Sequence, residues 1–206
     1  MTAATPLPEE IEKFLGSQLS SYAATGYQII IYPTDKIKKG NMVYTGEATP
    51  TSLEIALGGS WKEWLEILVH ETCHLDQHIE SEDSFSLAEN ALARISSWLD
   101  GTSPSVAPEA FEAVLENESD CELRSVEKIL RYRLPIDIGE YIKRANAYLA
   151  SYSATYQHRV WIPQPYRNKH LCSLMPSDKI LTPAEVLSKT DKIPPVEEFL
   201  KLVSMD

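Results

Sequence analysis

No stretch of this 206-residue chain approaches the roughly twenty consecutive apolar residues that a membrane-spanning helix needs. Positive charge is scarce: 19 lysines and arginines stand against 30 aspartates and glutamates, a formal net charge of −11. That balance repels phosphate backbones and anionic lipid, so the expected partners include neither nucleic acid nor membrane. Cysteine is sparse as well. Cys73, Cys121 and Cys172 are an odd number without scaffold-like spacing, which argues against a disulfide framework and for a reducing compartment. The opening residues Met1-Thr2-Ala3-Ala4-Thr5-Pro6 have neither the basic nor the apolar stretch of a secretion signal, so the expected location is cytoplasmic. There is no internal repeat and no low-complexity tract. What remains is ordinary for a globular protein: 43% hydrophobic and 24% charged, in a chain long enough for one domain with a real core.

Within that composition one stretch stands out, His70-Glu71-Thr72-Cys73-His74, which reads H-E-x-x-H. Ser60 with Glu63, just after Gly58-Gly59, forms a capping box and predicts a helix start. Trp61, Trp64, Leu65, Leu68, Thr72, Leu75 and Ile79 then recur at helical spacing as one apolar stripe. At about 100° per residue the two histidines fall on the other side, one turn apart, where both imidazoles reach one ion. Glu71 points to a neighbouring part of the surface, placed to take a proton from a metal-bound water. The bland alternative is a surface pair of histidines that happen to sit four apart.

The rest of the chain predicts an α+β fold with helices dominant. A first helix starts at Pro8-Glu9-Glu10 with Ile11, Phe14, Leu15 and Leu19 on its apolar face. Tyr27–Tyr32, Met42–Thr45 and Leu53–Leu57 read as three strands of a small, mostly antiparallel sheet, the last two separated by Gly46 and Pro50, with a basic turn at Lys36–Asn41. Ser81–Ser84 reads as a loop, and a second capping box, Ser86 with Glu89, opens a helix to about Leu99. Long helices follow over 108–134, stopped by Pro135, and from Ile138 to about His158. Beyond Trp161 the chain is Pro-punctuated, with short helices expected at 183–189 and 195–203. The expected organisation is a single domain, with 27–80 as sheet and motif helix, 86–160 as its helical part and 161–206 as a tail.

A zinc ion that does chemistry takes three protein ligands and keeps one position for water. The 108–134 helix offers Glu118, Asp120 and Glu122. Its core-facing stripe of Phe111, Leu115, Val126 and Ile129 includes Glu118 and Glu122 and leaves Asp120 and Arg124 on the far side. Two carboxylates on an apolar face are costly unless something positive meets them. A metal with its histidines answers that, with Glu118 as third ligand and Glu122 behind it on a histidine ring nitrogen, or the reverse order. The plainer alternatives are a buried salt bridge to Arg94 or Arg144, or a helix rotated so that both carboxylates are wet.

H-E-x-x-H followed some forty residues later by this acidic helix resembles the gluzincin branch of zincin metallopeptidases, in the compact form found in bacteria and phages. The resemblance covers about residues 27–130. It implies a zincin-like fold, Zn2+ as cofactor, His70, His74 and Glu118 as ligands, Glu71 as catalytic base and Glu122 as the acid behind the ligands. It implies a peptide or protein substrate that pairs in extended form with a sheet edge, for which Leu53–Leu57 is the candidate, and a virion-associated location if the gene is a phage's. His78 gives H-E-x-x-H-x-x-x-H, but no glycine turns the chain before it, so the helix continues and His78 stays at the rim. Cys73 and Cys121 admit a thiolate role and read better as small packing residues. Tyr156 and His158 are candidate donors to a developing oxyanion, against the plainer reading of a tyrosine stripe (Tyr141, Tyr148, Tyr152, Tyr156) packing on the core. Asp76, on the apolar side of the motif helix, needs a polar partner there. The competing functional class is a non-catalytic structural or interaction protein on a zincin-like fold, for example a virion component.

Overall fold

We describe the chain from a computed structural model over residues 6–39, 42–188 and 193–203. Expectations that fall on Met1–Thr5, on Gly40-Asn41 of the basic turn and on Lys189 lie outside these residues. The fold is mixed α+β, with a small N-terminal sheet and a helical C-terminal half. The chain divides into two compact units: Met1–Glu80 with Arg124–Ile136, and Ser81–Leu123 with Asp137–Asp206.

In the first unit, helix α1 (Glu9–Ala24) carries Glu9, Glu10 and Glu12 in its first turn, where they complement the helix dipole. It buries Ile11, Phe14 and Tyr22. Gly26, at φ 100°, ends it in a conformation that only glycine adopts without strain. The strands are β1 (Gln28–Tyr32), β2 (Ile37–Lys39), β3 (Met42–Tyr44), β4 (Gly46–Ala48) and β5 (Ser52–Ala56). Strands β2 and β3 pair as an antiparallel hairpin, and a three-stranded sheet runs β1-β5-β4.

Two expectations are corrected here. The β1–β5 pairing is parallel, with Gln28 opposite Ser52 and Tyr32 opposite Ala56. The short connections suggested antiparallel partners, but residues 33–51 carry the hairpin and form a crossover long enough for parallel pairing. Leu53–Leu57, expected to be a substrate-binding edge, is instead the central strand, buried at every position from Ser52 to Ala56. The edge next to it is β4, which the sequence reading passed over as a Gly-containing spacer.

Helix α2 (Trp61–Glu80) packs on β4 and β5. The backbone N–H of Ser60 donates to Glu63 Oε2 at 3.3 Å, the reciprocal arm of the expected capping box. Trp64, Leu65, Leu68, Thr72 and Leu75 are buried as the stripe predicts, while Ile79 is half exposed. The side that carries Thr72 and Asp76 meets α1 and the end of α4 (Pro108–Tyr132), whose last turns belong to this unit. There Asp76 finds its partner: Lys128 Nζ lies 2.7 Å away and the Tyr22 hydroxyl donates to it at 2.7 Å. Arg124 also pairs with Glu80 at 2.8 Å.

In the second unit, helix α3 spans Glu82–Leu99. The expected loop at Ser81–Ser84 is therefore its cap and first turn: Ser81 Oγ accepts from the Ser84 N–H, and Glu82 and Asp83 sit where the dipole favours acids. Helix α5 (Ile138–His158) is capped by Asp137 and buries twelve residues, because short elements cover it. They are a 3-10 turn (Pro165–Arg167), α6 (Lys169–Ser173), α7 (Pro183–Leu187) and α8 (Val196–Val203). Of these, α6 had no sequence expectation. Asn146, fully buried on α5, fastens this tail: its Nδ2 donates to Pro176 O and Lys179 O, and its Oδ1 accepts from the Leu181 N–H. No helix among the described residues is long and apolar enough to cross a membrane.

Candidate metal centre

The helical repeat of α2 brings His70 and His74 together as expected. Their Nε2 atoms are 3.1 Å apart, with the rings perpendicular at 89°. Two imidazole nitrogens bound to one tetrahedral zinc at about 2.0–2.1 Å stand about 3.3 Å from each other, so the observed spacing fits a shared ion. The next question is where the protons sit. His74 Nδ1 lies 2.8 Å from Gln77 Oε1. A carbonyl oxygen only accepts, so Nδ1 carries the hydrogen and Nε2 turns its lone pair toward His70.

That orientation carries a testable consequence. Gln77→Leu removes the acceptor and lowers zinc affinity about 10–100-fold, whereas Gln77→Glu keeps an acceptor and retains it. Competition with a chromophoric chelator reads both. Equal affinity in all three proteins would remove Gln77 from the account.

Glu71 is half buried, and its Oε2 accepts from the backbone N–H of Ala48 at 2.8 Å, so the edge strand β4 holds the carboxylate. Gly46 makes the close approach possible. A Cβ there would come within 2.9 Å of Ile55 Cδ1 and Ile67 Cγ2 and 3.0 Å of Glu71 Cγ. The sequence reading, which saw Gly46 only as a spacer, missed this role.

On α4, Glu118 and Glu122 are buried as their wheel positions predict. Glu122 accepts a 2.5 Å hydrogen bond from the Tyr141 hydroxyl, and Glu118 accepts one from Tyr148 at 3.4 Å. The Tyr148 and Tyr152 hydroxyls are 3.0 Å apart. Burial pushes both phenols well above their ordinary range, and the charge of Glu118 pushes them further. Tyr22 is raised too, by burial first and then by Asp76. Because native values exceed unfolded ones, this contribution to stability is complete below about pH 10 and is lost as pH rises through the native values. Denaturant midpoints measured upward from about pH 8 should fall in the alkaline range, and less steeply in Tyr148→Phe.

Cys121 is completely buried on α4. His78 meets the Tyr27 hydroxyl through Nδ1. Tyr156 is 38% exposed and packs edge-on against Phe111, and His158 is exposed at the end of α5. All three cysteines are buried thiols.

Comparison of the chain with family profiles, with curated proteins and with solved structures finds no match.

Proposed function

We propose that the chain is a zinc-dependent hydrolase of zincin type that cleaves peptides. The observation that carries this reading is the pair of facing Nε2 atoms on α2, with a carboxylate fixed beside them. The resemblance implies Glu118 on α4 as the third ligand, with Glu122 one turn on as the alternative. When bound, the ion supplies Lewis acidity toward a carbonyl and toward water.

Glu71 acts as the general base: it takes the proton of the attacking water and delivers it to the leaving amine. Its hydrogen bond to Ala48 keeps it beside the histidines rather than in solvent. Strand β4 supplies the place for an extended substrate. Its register with β5 pairs Glu47 with Glu54 and turns the backbone groups of Gly46 and the carbonyl of Ala48 outward, away from β5.

Two measurements test the reading together. Elemental analysis of wild type, Glu118→Ala and Glu122→Ala should find stoichiometric zinc in wild type and a loss in whichever variant removes a ligand. Digestion of an unbiased peptide library by the zinc-loaded protein should yield internal cleavages. A wild-type protein that takes up no zinc ends this reading.

A further inference from the structure

We propose that strand β1 is the surface through which two copies of this chain associate, β1 of one pairing antiparallel with β1 of the other about a two-fold axis at Ile30. The inference stands on the first unit alone. It does not depend on the metal reading, because β4, the strand that holds Glu71, is the opposite edge of the sheet.

The phase of the β1–β5 ladder shows which backbone groups face outward. The Gln28 N–H donates to Thr51 O at 2.9 Å, and the Tyr32 carbonyl accepts from the Leu57 N–H at 2.9 Å. In a parallel pair alternate residues bond to a given neighbour, so Gln28, Ile30 and Tyr32 face β5 while Ile29 and Ile31 turn N–H and C=O away from it. Among the described residues nothing takes these outward groups. The usual protections of an edge are missing too. The five residues pair with β5 without a bulge, include neither proline nor lysine, and leave Ile31 52% exposed. The other edge is guarded: β4 is three residues long, carries Glu47, and gives its Ala48 N–H to Glu71.

Charge and register both point to a second copy as the occupant. At a net charge of −11, two copies repel unless they meet where charge is absent, and no residue from Tyr27 to Thr34 is charged. The run Gln28-Ile29-Ile30-Ile31-Tyr32 is also self-complementary. A two-fold axis at Ile30 sets Ile29 of each copy opposite Ile31 of the other, so their outward N–H and C=O groups exchange hydrogen bonds. The exposed Ile31 then lies against an isoleucine. Pro33, which has no N–H, ends the pairing after Tyr32. The two sheets become one, with β4 at each outer end. A pairing this short sits at the low end of interface sizes, below about 1,200 Å² in total, so the dimer forms at micromolar concentration and above.

Sedimentation velocity of the full chain, from micromolar to millimolar concentration, tests the assignment. Wild type should shift reversibly from the mass of one chain to that of two. Ile31→Lys puts a charge on the edge and should raise the concentration needed by about tenfold or more, with helical circular dichroism unchanged. Ile30→Cys is read independently of that variant. The axis places residue 30 beside its counterpart at a non-hydrogen-bonded pair, with Cα atoms about 4.5 Å apart, inside the span that a disulfide bridges. Mild oxidation should therefore link Ile30→Cys into dimers that a reductant separates. Wild type, whose three cysteines are all buried, should stay unlinked.

A wild-type chain that keeps the mass of a monomer at the highest concentration would overturn the proposal. So would a dimer that Ile31→Lys leaves intact and Ile30→Cys does not cross-link, since the interface then lies elsewhere. Mass that grows past two chains would also overturn it, because a two-fold contact closes on itself. None of these outcomes bears on zinc content or peptide cleavage.

Discussion

Glu71→Gln should leave zinc content and thermal stability at wild-type values and reduce peptide cleavage by about 10²–10⁴-fold, the usual share of a general base. Glutamine is the right replacement because its Oε1 can still accept the Ala48 N–H, so the side chain keeps the position that the 2.8 Å bond defines. What it loses is the ability to take a proton. Alanine would be a poorer probe, since it also frees space next to Gly46 and Ile67. The measurement is single-turnover cleavage of a peptide found in the library digest, beside metal content and melting. Cleavage retained in the glutamine variant would place the base elsewhere. Full zinc loading with no Glu71-dependent cleavage in wild type would favour the non-catalytic reading of the fold.

The largest stability effect is expected at Lys128. Its Nζ is 2.7 Å from Asp76 Oδ2 and 3.0 Å from the Tyr22 hydroxyl, and its side chain is 8% exposed. Lys128→Met leaves the Asp76 carboxylate facing Tyr22 without its counter-charge. Removal of one partner from a buried pair costs about 3–5 kcal/mol. Asp76 keeps 31% exposure, so water softens the loss toward about 3 kcal/mol. Asp76→Asn combined with Lys128→Met should recover most of this, since no charge is then stranded. Urea midpoints of the two single variants and the double variant give the coupling, and strict additivity would show that the pair does not act as one.

Much of this was legible because the strongest signals are local. The span of α2, its stripe, the facing histidines and the buried Glu118 and Glu122 all follow from a 3.6-residue period that a single stretch displays. The demand of Asp76 for a partner was legible too, though not that Lys128, fifty-two positions on, would meet it. What the sequence hid depends on neighbours remote in the chain. Strand β4 is three residues long and has no alternation to read, so its place at the sheet edge emerges only from pairing with β5. The parallel β1–β5 pairing was masked because the crossover is itself a hairpin. At Ser81 two cap signals competed, and the earlier one, with two acids behind it, won.

The first unit is sewn together from two separated stretches, and this has a consequence during synthesis. A nascent chain that has reached Glu80 already holds both histidines, the base and the whole sheet, yet lacks the turns of α4 that supply Lys128 to Asp76 and Tyr132 to the Gln18 amide. Closing that gap of more than forty residues carries a loop entropy that grows only slowly with length, so the delay is set by translation rather than by the search itself. Until that stretch has left the ribosome, Asp76 has the Tyr22 hydroxyl of α1 beside it but lacks its counter-charge.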